Sequence, residues 1–257
     1  AGFNPMPFPK LDEENPNVYF SMGITAENVA KKYNLSRKEQ QDFSISSHEK
    51  AAIAQKNGKF ENEITKINNC FKDGGIRPET NQKVLDGLKL AFDKKGTITA
   101  GTSSPLTDGA ATTLICDEQY AKDNNLDILA RIISTSVQGC AHELMGLGPI
   151  GASQKALKRA KLSIKDIDIV ELNEAFASQS LACINDLGID KNKVNLDGGA
   201  LALGHPLGAT GARITGKAAE ILRRENKKYA LTTQCIGSDS YTHLRAHETV
   251  LDIVCRL

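Results

Sequence analysis

Apolar residues recur along this chain with two periods, and the switches between them outline its elements. Ser36 followed three residues later by Glu39 is a capping box, after which Phe43, Ile45, Ala51, Ile53 and Ala54 supply the apolar positions of a helix ending near Gly58. A shorter helix is predicted over 25–33, and Leu85, Leu88 and Phe92 share one face of another over 84–92. Ile64 and Ile67 suggest a short strand, 112–116 a buried strand and 118–124 a short helix. The proline-rich residues 1–20 read as an extended loop.

After Asn125 the pattern becomes regular: strand 128–137, helix 150–161, strand 167–172, helix 174–187, a glycine-rich stretch, helix 208–225 and strand 229–235. Strands alternating with helices predict a layered α/β architecture. The change of pattern places a boundary near 125, giving one unit over 1–125 and a second over 126–237.

Composition narrows this only by exclusion. The 257 residues, 40% hydrophobic and 25% charged, suit one large or two moderate globular domains. A net charge of +1 gives no electrostatic reason to expect nucleic acid or an anionic membrane surface, and no apolar run is long enough to predict a membrane span. The six cysteines lack C-x-x-C spacing, which argues for reduced thiols rather than a disulfide framework or a structural zinc site. His243 and His247 stand four apart without a convincing third ligand, so no metal and no permanently bound cofactor is expected.

Candidate chemistry lies at the ends of predicted strands, where α/β proteins commonly place their sites. The stretch 197–213, D-G-G-A-L-A-L-G-H-P-L-G-A-T-G-A-R, surrounds His205 with glycines that allow sharp turns and close approach. Pro206 biases the backbone of His205 toward an extended conformation, which gives the imidazole a defined direction. Asn173 follows strand 167–172 and reads in isolation as the N-cap of the next helix; its amide could equally hold a water or a carbonyl. Cys235 comes directly after residues 229–234, at the end of strand 229–235, and a lone cysteine there is ordinarily a small buried hydrophobe. Beside an imidazole, however, a thiol can attack a carbonyl or move a proton. The loop T-I-T-A-G-T-S-S-P-L-T-D-G-A-A over 97–111 is small and hydroxyl-rich, of a kind that lets a ligand lie against backbone.

Taken together, N-E-A-F-A at 173–177, G-G-A-L-A-L-G-H-P-L-G-A-T-G-A-R at 198–213 and C-I-G at 235–237 resemble the three C-terminal signature blocks of the thiolases. F-N-P-M-P at 3–7, M-G-I-T-A-E at 22–27, T-A-G-T-S-S-P-L-T-D-G-A-A at 99–111 and M-G-L-G-P-I at 145–150 are similar to further thiolase segments. The resemblance implies an incomplete layered αβαβα thiolase-type fold and acyl transfer between acyl-CoA and CoA, with CoA as co-substrate. By the same resemblance His205 would activate a nucleophilic thiol and help hold a thioester oxyanion. Asn173 would position a water beside it, Cys235 would move protons, and the Gly237 N–H would donate to a second oxyanion. Ser104, Met145 and Phe176 match positions along the pantetheine tunnel, and Arg77 falls where a cation meets the nucleotide end of CoA. Ser21 stands where acetoacetyl-specific members often carry a histidine, which tilts the comparison toward degradative 3-ketoacyl-CoA enzymes of fatty-acid β-oxidation. The family further implies a homo-oligomer, dimer or tetramer, in the cytoplasm or in a mitochondrion or peroxisome.

Two departures temper the resemblance. Family members begin with a segment that carries the nucleophilic cysteine, whereas this chain starts after it, so 1–257 alone is expected not to turn over substrate. Residues 238–257, S-D-S-Y-T-H-L-R-A-H-E-T-V-L-D-I-V-C-R-L, replace the family's closing glycines and strand and resemble translated sequencing adapter, so they are expected not to be native. A non-catalytic CoA- or lipid-binding protein of the same descent is the alternative; retention of Asn173, His205 and Cys235 argues against it.

Overall fold

The computed structural model describes residues 8–236 and 252–256. Four strands, β1 (Arg131–Ser136), β2 (Ile169–Leu172), β3 (Tyr229–Thr233) and β4 (Asp252–Arg256), form one sheet in the order β1-β4-β3-β2. β2 and β3 run parallel, with Leu172 opposite Thr233, while β4 pairs antiparallel with both β1 and β3. β4 lies within the stretch 238–257 set apart above.

Period-two alternation along β2 decides what covers the sheet. Val170 and Leu172 join Leu231 in a core with Ala156 and Leu157 of α6 (Gly148–Ala160) and Cys183, Ile184 and Leu187 of α7 (Ala177–Leu187). Ile169 and Ala230 point the other way, onto Ala218, Ile221 and Leu222 of α9 (Leu207–Arg224). Burying each such leucine or isoleucine contributes roughly 1.5–3 kcal/mol. Behind α7 lies a further helical layer: α2 (Met22–Lys32) brings Val29 and Ala30 against Leu181 and Ala182, with Leu35 and Phe43 beside them. Phe43 belongs to α3 (Arg37–Lys56), which starts at the expected capping box: Ser36 Oγ accepts from the Glu39 amide and the Glu39 carboxylate accepts from the Ser36 amide.

Several local expectations fail for identifiable reasons. Residues 8–20 are not an extended loop: α1 (Pro9–Glu14) carries Pro9 in its first turn, where a missing N–H leaves no helical bond unmade, and a 3₁₀ turn follows over Pro16–Tyr19. The helix expected over 84–92 is only α4 (Gln82–Asp86), because Leu90 turns back to bridge Thr99. Ile67 meets only Cys70, three residues on, and builds no strand. Residues 112–116 form neither strand nor helix, and Leu114 and Ile115 are 72% and 61% exposed rather than buried. The expected helix over 118–124 is α5 (Glu118–Asp123).

Candidate active site

The parallel pair β2–β3 ends flush, and the site grows from that edge. Beyond the last paired residues, the Asn173 amide still donates to Thr233 O at 2.9 Å, so Asn173 and Gln234-Cys235 leave the sheet side by side. Asn173 is not an N-cap: α7 begins only at Ala177, after Phe176. Its side chain, completely buried, faces His205 instead, with Nδ2 3.3 Å from the imidazole Nε2. Asn173 Oδ1 is buried without a hydrogen-bond partner among the described residues.

His205 is delivered by the glycine-rich stretch. A single turn of helix, α8 (Ala200–Leu203), closes on Gly204, whose φ of +93° lies in the region L side chains rarely adopt. A Cβ there would come within 2.5 Å of Thr107 Oγ1, so the hydroxyl-rich loop lies directly against this turn. Thr107 Oγ1 also accepts from the His205 backbone amide at 3.2 Å. Thr107 thereby anchors the histidine from a segment almost a hundred residues away in sequence.

The ring's tautomer follows from its neighbours. Thr210 Oγ1 lies 2.7 Å from His205 Nδ1, and its one proton is directed to Pro206 O at 3.0 Å. The hydroxyl therefore accepts from an Nδ1–H, leaving Nε2 as the unprotonated nitrogen that receives the Asn173 amide. Burial, reinforced by the Arg213 guanidinium, pushes the His205 pKa down to about 4, so the ring is neutral at pH 7. An imidazole fixed in this form keeps Nε2 unprotonated and turned toward Asn173, while its burial makes protonation there unfavourable unless a negative charge forms beside it.

Cys235 is 4% exposed and packs with Met145 and Ala175, with Met22 and Phe176 at the margin. Burial pushes its thiol up to about 12, so it carries its proton at neutral pH. The loop at 103–104 joins this wall: Ser103 bridges Phe176, and the Ser104 amide donates to Ala175 O at 3.0 Å. Phe176 in turn meets the edge of Phe92 at 5.9 Å between ring centres.

Six of the eight residues singled out from the sequence thus fall into two groups, Asn173 with His205, and Cys235 with Met145, Phe176 and the Ser104 backbone, which leave the β2–β3 edge side by side at Asn173 and Cys235. Arg77 remains apart, with an exposed side chain and a backbone amide held by His48 Nδ1 at 3.2 Å. Its loop nevertheless borders the site, since a Cβ on Gly75 would meet Ala202 O of α8 at 2.7 Å. Gly237 lies outside the described residues. Sequence reasoning missed Thr210, legible only as a hydroxyl five residues after the histidine, and Thr107, which lies in the hydroxyl-rich loop 98 residues before it; it also missed Glu174, whose signal was a carboxylate next to Asn173 among apolar residues.

Comparison with known proteins gives the family. Two family models match, "Thiolase, N-terminal domain" over 14–119 and "Thiolase, C-terminal domain" over 126–244. The chain is 44% identical over 244 residues to a 3-ketoacyl-CoA thiolase of Bacillus subtilis, covering 88% of this chain and 62% of that protein. It is 47% identical over 229 residues to one of Vibrio vulnificus, covering 84% and 59%. Human mitochondrial 3-ketoacyl-CoA thiolase superposes with a TM-score of 0.83 at 37% identity, over 94% of this chain and 61% of that one. The structure of that enzyme in complex with CoA superposes with a TM-score of 0.79 at 40% identity, over 87% and 57%. The chain therefore spans about three fifths of the length of the relatives it matches.

Proposed function

This chain belongs to the thiolase family, and on that premise we propose that it supplies the proton-transfer and oxyanion side of an enzyme moving acyl groups between acyl-CoA and CoA. The observation that carries the reading is the Asn173–His205–Thr210 chain, which holds a neutral imidazole with an unprotonated Nε2 facing Asn173. In thiolytic cleavage His205 Nε2 takes the proton of a nucleophilic thiol, and the thiolate adds to the 3-keto carbon of a 3-ketoacyl-CoA. The C2–C3 bond then breaks, its electron pair goes to C2, and the Cys235 thiol protonates that carbanion to release acetyl-CoA. A thiol held near 12 suits this first donation, and the resulting Cys235 thiolate is a strong base toward the incoming CoA thiol. The CoA thiolate, its proton left on Cys235, next attacks the acyl-enzyme thioester and yields the shortened acyl-CoA, while His205 returns its proton to the departing thiolate. Asn173 Nδ2 would orient a water that shares the first oxyanion with His205, and the Gly237 amide would serve the second.

Met145, Phe176 and the 103–104 backbone are assigned to the pantetheine arm of CoA, and Arg77 to its nucleotide end. Among the described residues His205 has no thiol as a hydrogen-bond partner, and residues 1–257 alone are proposed to bind CoA without turnover. A homo-oligomer, dimer or tetramer, is proposed for the active form. Titration calorimetry with CoA on 1–257, beside a thiolysis assay with acetoacetyl-CoA and a longer 3-ketoacyl-CoA, tests these statements. Saturable binding weakened by Phe176→Ala supports the site; no binding overturns it. Turnover that disappears in His205→Ala would overturn the need for an additional thiol.

A further inference from the structure

Glu174 is a carboxylate 2% exposed, in the middle of the site's supporting loops, and the acyl-transfer steps above make no use of it. Three donors converge on it. Asn195 Nδ2 reaches Oε1 at 2.6 Å, while Ser47 Oγ of α3 and the Leu201 amide of α8 reach Oε2 at 2.6 and 3.2 Å. Ser47 Oγ in turn accepts from the Gly199 amide at 3.0 Å, so two successive parts of the glycine-rich stretch are tied to this one carboxylate. Asn195 is itself locked, its amide exchanging hydrogen bonds with both backbone groups of Leu172 at 2.9 Å.

The fit leaves no slack. A Cβ on Gly199 would lie 2.1 Å from the Glu174 carboxyl carbon, so the glycine is there because the carboxylate is. From Gly199 to Gly204 the backbone is a closed turn, with Leu203 N on Gly199 O and Gly204 N on Ala200 O, both at 2.9 Å. The residue following it is His205. Asn173 and Glu174 are neighbours in sequence, and they grip opposite ends of the same turn: Glu174 at Leu201, Asn173 at the imidazole.

We propose that Glu174 is a positioning residue, which sets the imidazole of His205 against Asn173 by clamping the start of the turn that ends in the histidine. It acts through His205 and touches no substrate. The proposal rests on His205 and Asn173 being the reacting pair, but its consequence is a property of the imidazole that can be read without turnover.

The test is an NMR titration of His205 in the chain 1–257 and in Glu174→Gln, with the Asn173 side-chain amide followed in the same spectra. Replacing one carboxylate oxygen by NH₂ sets a donor against donors and frees α8. His205, expected to titrate near 4 in the unchanged chain, should then move up by a unit or more toward its ordinary 6.5, and the Asn173 amide signals should shift toward those of a solvated carboxamide. Leu187→Ala, a core truncation on α7 away from this node, serves as the destabilised control and should leave the titration where it was. If Glu174→Gln does not fold, Ser47→Ala removes the hydroxyl linking the carboxylate to Gly199 and should move the titration in the same direction. A His205 titration unchanged in whichever variant folds, or moved equally by Leu187→Ala, overturns the proposal. A shifted titration in a chain that fails to bind CoA would instead count against the proposed function alone.

Discussion

Thr210 stands five residues after His205, one turn into α9, and its hydroxyl is what assigns the imidazole proton to Nδ1. Thr210→Val keeps the shape and removes that acceptor. A half-buried N–H then loses its partner, at a cost of about 1–3 kcal/mol. The expected result is a lower urea midpoint together with a change in the imidazole ¹⁵N pattern from Nδ1–H alone to a mixture containing Nε2–H. An unaltered nitrogen pattern would contradict the tautomer derived from the structure.

The low pKa of His205 makes stability depend on pH in a defined direction. Folded, the ring protonates only near 4; unfolded, it does so near 6.5, so between these values the unfolded chain binds more protons. Stability contributed by the neutral ring is complete above about pH 6.5 and declines as the pH falls toward 4, by at most about 3 kcal/mol. His48, lowered by burial and by Arg77, adds a slope of the same sign. The measurement is therefore a difference: urea unfolding of the chain and of His205→Gln near pH 7.5 and pH 4.5. The variant should lose less on acidification, and parallel losses would refute the assignment.

These residues also show what could be read in the sequence. Ser36 and Glu39 announced α3 because a capping box is satisfied within four residues of chain. His205 and Cys235 were legible because glycine-rich and strand-end positions restrict what can stand there. Residues 112–116 misled because an apolar run specifies burial only when something covers it, and Leu114 and Ile115 meet solvent here. Asn173 misled in the opposite way: its cap-like sequence position was real, but the helix starts four residues later and the amide turns to His205. Thr107 and Glu174 stayed hidden because their roles come from contacts across 98 and 127 residues of chain, which no local pattern encodes.

Below α9 lies a second polar node, built on charge. Asp197 is buried and accepts from Lys217, whose side chain is 1% exposed, and from Arg224 through both oxygens, with Lys59 at 3.3 Å. Burial raises the Asp197 carboxyl, but hydrogen bonds from Arg224 and Lys217 outweigh it and hold the group below the usual carboxylate range. Asp197→Ala leaves the buried Lys217 with Glu63 as its ion-pair partner and the Phe60 ring beneath it, and is expected to cost about 3–5 kcal/mol. Lys217→Met should cost less, because Asp197 keeps Arg224 and Lys59. Urea denaturation of both variants decides it, and a larger loss for Lys217→Met would show that the node is organised around the lysine instead.

Glu171 gives the opposite pH dependence from His205. It lies on the face of β2 turned to α9, 1% exposed, with Oε1 unpartnered among the described residues, and burial pushes its pKa up to about 8 despite Arg213 and Lys217 nearby. Asp197 and Glu63 push in the same direction as burial. At neutral pH the side chain is therefore a protonated acid in the folded chain, whereas the unfolded chain releases that proton near 4.5. The folded state binds more protons between these values, so the contribution is complete below about pH 4.5 and is lost as the pH rises through 8. Glu171→Gln keeps the size and neutrality of the protonated acid and cannot ionise. Relative to the unchanged chain the variant should gain stability from about pH 5 to pH 8 and level off above it, measured by urea midpoints at matched ionic strength. A constant difference across that range would mean that Glu171 is already ionised beside Arg213, and that the buried carboxyl is one half of an ion pair.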